Sequence, residues 1–83
     1  MADVFQSIIE GIDKAAAGDW QSAHAIAQSL EGDPHGDWLH AIVHKIEGDE
    51  ANSRYWYRKT TQTYETYPDI KAELSALRAV VGG

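Results

Sequence analysis

Four Gly-Asp dipeptides divide this chain, at Gly18-Asp19, Gly32-Asp33, Gly36-Asp37 and Gly48-Asp49. The pair is a stop followed by a start. Glycine accepts the left-handed backbone that ends one helix, and Asp accepts the free N–H groups that begin the next. Asp33 is followed by Pro34, a residue suited to the first helical position. A helix there begins at Pro34 or only after Asp37, and the spacing favours a short turn first.

Between these marks the apolar residues recur at helical spacing. The pattern predicts a first helix over about 2–17, with Val4, Phe5, Ile8, Ile9, Ile12, Ala15 and Ala16 on one face. A second, over about 20–31, is expected to bury Trp20, Ala23, Ile26, Ala27 and Leu30. A third, about 38–47, presents Leu39, Ile42, Val43 and Ile46. A fourth, about 50–66, sets Ser53, Trp56, Tyr57, Thr60, Thr63 and Tyr64 against Glu50, Arg54, Arg58, Thr61 and Glu65. Tyr67-Pro68-Asp69 stops it, and a fifth, about 68–81, carries Ile70, Leu74, Leu77 and Val81. No segment alternates with period two. The expectation is an all-α domain of about five helices in successive antiparallel hairpins, spanning 2–31 and 37–66, with 68–81 as a capping helix.

Eighty-three residues make one domain near the lower size limit for folding without a staple. There is no cysteine, so no disulfide or thiolate metal site supplies one. Burial of a 43% hydrophobic chain with three Trp and four Tyr must do so. The formal net charge of −6 argues against nucleic acid and against anionic membrane as partners, since both are bound through Lys and Arg. The N-terminal stretch carries Asp3, Glu10 and Asp13 and no basic signal-peptide region, and no apolar run approaches ~18 residues. A cytoplasmic location is the expectation.

The helix starts at Asp19 and Asp49 are chemically alike and lie 30 residues apart, in the range of helical-hairpin repeats. Here the chain resembles the tetratricopeptide-repeat (TPR) family. Gly18, Asp19, Trp20 and Ala23 match the turn and first small position of one repeat, with Pro34 near its closing proline. Gly48 and Asp49 match the second turn, and Ser53, Tyr57 and Thr60 its small, aromatic and small positions. Gly11 and Ala41 stand where the first helix of each repeat takes a small residue. Ala27 replaces the usual aromatic, the period is short, and the first helices lack the family's Trp and Tyr, so the resemblance is to a degenerate TPR-like fold over about 2–67. It implies binding of peptides or helices. The segment WLHAIVHKIEGDEANSRYWYRK is also similar to small bacterial proteins that carry no assigned activity.

Six residues stand out once packing is assigned. His40 and His44 lie one turn apart, the spacing at which two imidazoles chelate an ion from a helix face. Glu47 follows on the same stripe, but about 10 Å from His40 along the axis. A third ligand would have to come from another helix, with His24 the first candidate. The apolar stripe is centred roughly 110–120° away, so the histidines are expected to flank the core, as packing residues at a helix boundary. Arg54 and Arg58 share a face with Glu50, a solvated ion-pair face or a local spot for a carboxylate or phosphate. Tyr55 lies off the buried side of its helix, a common position for a partner contact.

Catalysis is not expected. The chain has no cysteine, no G-x-S-x-G and no phosphate-binding glycine loop, and the pattern places no carboxylate in an apolar setting. The expected role is a small protein-interaction module binding a peptide or helix through a groove edged by His40, His44, Glu47, Arg54, Tyr55 and Arg58. No cofactor or metal is expected, and self-association through the fifth helix or an end face is the expected oligomeric route. A small-ligand or metal-binding domain built from the same residues is the alternative.

Overall fold

The computed structural model describes residues 3–82, so the expected first residue of the first helix, Ala2, lies outside it. All regular structure among the described residues is helical: α1 (Val4–Ala16), α2 (Trp20–Ser29), α3 (Pro34–Ile46), α4 (Glu50–Tyr57) and α5 (Ile70–Val80). Each is capped by an aspartate: Asp3, Asp19, Asp33, Asp49 and Asp69 accept a backbone N–H from the first turn. Gly18 and Gly48 adopt the left-handed φ, +87° and +84°, that ends α1 and α3.

The fourth Gly-Asp pair is different. Gly36 and Asp37 lie inside α3, which starts at Pro34 rather than after Asp37. Asp33 accepts from the N–H groups of His35 (2.9 Å) and Gly36 (3.0 Å), while the Asp37 carboxylate reaches back to the Gly32 N–H (3.2 Å). This reciprocal cap fixes the start a turn early. Gly36 is needed for contact: a Cβ there would sit 2.8 Å from the Leu30 carbonyl oxygen.

The other end of the second predicted hairpin is also corrected. α4 stops at Tyr57, not at residue 66, and 58–69 is irregular. Thr60 explains the stop. Its Oγ1 donates to the Tyr57 carbonyl (2.8 Å) and accepts the Gln62 N–H (2.9 Å), so a side chain takes the backbone groups that further helix would use. Tyr64 and Tyr67 still reach the core, from the loop.

Consecutive helices from α1 to α4 each pack on the next. α5 packs on α1 and α3 and meets α4 through side chains. An ion pair between Arg78 and Asp13 ties it to α1. α3 therefore touches all four other helices, and every residue from Gly36 to His44 is buried. The small residues sit at close approaches: Ser53 is fully buried and donates its hydroxyl to the Ala41 carbonyl (2.7 Å), drawing α4 onto α3. Three expected core positions are not core: Trp20, at the first turn of α2, is 37% exposed, and Val4 and Phe5 at the start of α1 are also exposed, although the Phe5 ring still meets His35 edge-on.

Candidate functional site

The six predicted residues do not edge one groove. They divide into an interior set and an exterior set, and the reason is the central position of α3.

His40 and His44 are both buried, His40 to 2% exposure, which corrects the expectation that they flank the core. α2 packs on this side of α3 and brings in His24. The three imidazoles form a nearly equilateral triangle, with ring centroids 4.8 Å (His24–His40), 5.2 Å (His24–His44) and 5.0 Å (His40–His44) apart. The Nε2 atoms of His24 and His40 meet at 3.1 Å. One ligand atom from each of the three lies within 4.8 Å of the others. Trp56 stacks on His40, ring centroids 3.9 Å apart, and closes the side facing α4.

Glu47 serves this cluster from its rim. Its Oε1 is 2.5 Å from His44 Nδ1, which directs His44 Nε2 away from Glu47. Burial, reinforced by the neighbouring His24 and His44 rings, pushes the pKa of His40 down to about 4. Its Nδ1 has no hydrogen-bond partner among the described residues.

The exterior set belongs to α4. Arg54 bonds Glu50 (2.7 Å) and Glu65 (2.5 Å) and covers the Tyr64 ring, so its charge is satisfied within the domain. The same contact holds the Glu65 carboxyl below its ordinary range. Tyr55 is 47% exposed, with the Lys59 ammonium 4.9 Å from its ring centroid. Arg58 is exposed, and neither Arg58 nor Lys59 has a carboxylate partner among the described residues. Both help line an open depression of about 410 Å³ that also takes in His35, Trp38 and Val80.

A buried polar centre escaped the sequence reading. Glu73, at 0% exposure, accepts from Trp38 Nε1 (2.8 Å), from the Tyr57 hydroxyl and from Lys45 Nζ (2.7 Å). Lys45 also donates to the Tyr67 carbonyl (3.0 Å) and sits over the Tyr57 and Tyr64 rings. Burial and the Glu73 carboxylate push the Tyr57 hydroxyl far above its ordinary pKa, so it stays a donor. A carboxylate does therefore occupy an apolar setting here. The signal was present: Glu73 stands between Ile70, Leu74 and Leu77 on the apolar stripe of α5. All its donors are spent on holding α3, α4 and α5 together, and we assign it to the core.

Compared with protein-family models, with curated proteins and with solved structures, the chain shows no significant match.

Proposed function

We propose that this domain is a degenerate TPR-like interaction module that binds an acidic peptide or protein segment along the outer edge of α4. The observation that carries the reading is Arg58 and Lys59, without a carboxylate partner among the described residues, beside the exposed Tyr55 in a chain of net charge −6. Every arginine and lysine with a described carboxylate partner is turned to internal use: Lys45 to Glu73, Arg54 to Glu50 and Glu65, Arg78 to Asp13. Arg58 offers a forked guanidinium suited to a carboxylate, and Tyr55 adds apolar area at small entropic cost. The adjoining irregular stretch 58–69 is longer than most helix connections, which favours a binding role for it.

The binding set is accordingly Tyr55, Arg58 and Lys59 with the depression beside them. His40 and His44 are inside, and Arg54 is already paired. The partner is a protein in the cytoplasm. Nucleic acid and anionic membrane present extended negative charge that needs many Lys and Arg contacts, whereas a short acidic segment can be met by Arg58 and Lys59 alone, and no described helix is long and apolar enough to cross a membrane.

Fluorescence anisotropy with a panel of labelled acidic peptides, with and without an aromatic residue, tests this. Wild type should bind at least one saturably, and Tyr55→Ala and Arg58→Glu should each weaken it tenfold or more, about 1.4 kcal/mol, with melting unchanged. Equal binding by the variants, or none by wild type across the panel, would end the proposal.

A further inference from the structure

We propose that His24, His40 and His44 form a site for one divalent transition-metal ion of the zinc type, bridging α2 and α3. It is separate from the outer edge of α4 and does not depend on what that edge binds.

The triangle supplies the donor geometry. An ion about 2.0–2.1 Å from each nitrogen needs nitrogens about 3.3–3.4 Å apart. The His24–His40 nitrogen pair, at 3.1 Å, is close to that value, and all three ligand atoms lie within 4.8 Å. Small rotations of the side chains therefore complete the set. His40 and His44, one turn apart on a rigid helix, fix two corners without any backbone movement.

The chemistry of the surroundings fits a ligand set better than an ordinary core. Two imidazole nitrogens that face each other are satisfied only when one bears a proton and the other does not. A third imidazole, His44, brings its own ligand nitrogen within 4.8 Å of the other two. Glu47, on the far nitrogen of His44, stands where an outer carboxylate orients a metal-bound imidazole and strengthens it as a donor. Stacking on Trp56 locks the His40 ring. His24 is half-buried, leaving a way in and a fourth position for water or another small ligand.

Three neutral imidazoles suit zinc, cobalt, nickel and copper, and not calcium or magnesium, which take oxygen. Such an ion would pin α2 to α3 and stabilise the folded chain by mass action.

The test uses the full chain, stripped by a chelator and titrated with Co²⁺ and then Zn²⁺. Expected is one equivalent of cobalt with the intense visible absorption of a tetrahedral nitrogen-ligated ion, displaced by one equivalent of zinc. Zinc should also raise the melting temperature by several degrees. His24→Asn, at a half-exposed position, should melt like the metal-free wild type while losing both the cobalt band and the zinc shift. Glu47→Gln should keep the fold and weaken binding roughly 10–100-fold, which covers the case of a His24 variant that folds poorly. His35→Asn, outside the triangle, should bind like wild type. No stoichiometric binding by wild type, a weak six-coordinate cobalt spectrum, binding retained in His24→Asn, or equal loss in His35→Asn would each overturn the proposal.

Discussion

Replacing Lys45 by Met would leave the Glu73 carboxylate fully buried with only two neutral donors, Trp38 and Tyr57. Methionine keeps most of the lysine's apolar stem, so packing is largely conserved and the loss falls on the charge. Breaking a buried pair by removing one partner costs about 3–5 kcal/mol, against about 1 kcal/mol or less for an exposed pair. A domain of 83 residues has roughly 4–12 kcal/mol of stability in all, so Lys45→Met should remove a large share of it. Glu73→Gln keeps an acceptor for Trp38 and Tyr57 and should cost less, about 1–3 kcal/mol. The informative variant is the double one. With Lys45→Met already present, Glu73→Gln removes the stranded charge, so the pair should cost less than the two singles added together by about 2 kcal/mol. Urea unfolding followed by the helical circular dichroism signal measures all four proteins, provided that the slope is constant. Additivity within about 0.5 kcal/mol, or a Lys45→Met cost below about 1 kcal/mol, would refute the view of Glu73 as the buried tie among α3, α4 and α5.

The tryptophans should separate by position: Trp20→Ala should cost under about 1 kcal/mol in the same assay and Trp38→Ala about 3–5 kcal/mol, because the first is at an uncovered helix end and the second is in the core. Ser53→Ala should cost about 1 kcal/mol for the lost bond to Ala41, and Ser53→Leu at least as much again, since nothing larger fits between α3 and α4. In metal-free protein, acid should act through His40. Its pKa is about 4 in the fold, so between about pH 6.5 and 4 the unfolded chain binds the extra proton. Stability from this group is then full above pH 6.5 and falls toward pH 4, by on the order of 3 kcal/mol. Urea midpoints across that range should fall less steeply in His40→Gln; parallel curves would contradict the burial argument.

The turns were legible because their chemistry is local. Gly18 and Gly48 stop helices, and the aspartates that follow them start helices, with no help from tertiary structure. The same local logic misread Gly36-Asp37, where the Asp33-Pro34 pair had already started α3 and the second dipeptide was absorbed as contact and cap. Helical periodicity ran through Thr60, Thr63 and Tyr64, although Thr60 ends α4 with its own hydroxyl. The candidate residues failed for a non-local reason. A stripe reading assumes that a helix has one buried face, but α3 has four neighbours and is buried all round. That places His40 and His44 inside with His24, and leaves Tyr55 and Arg58, on and just after a helix whose backbone packs mainly against α3, outside. The exterior assignment of Tyr55 was legible; the interior meeting of three histidines was visible only as a candidate third ligand on another helix.

The central claim is that peptide binding belongs to the outer edge of α4 and not to the histidine side. Amide and side-chain chemical shifts of isotope-labelled protein, titrated with an acidic peptide at low and at physiological salt, test it residue by residue. The account predicts saturable shifts centred on Tyr55, Arg58, Lys59 and 60–62, weakening as salt rises and absent in Arg58→Glu. Shifts centred on His24, His40 and His44, or shifts at α4 that ignore salt and survive Arg58→Glu, would contradict it.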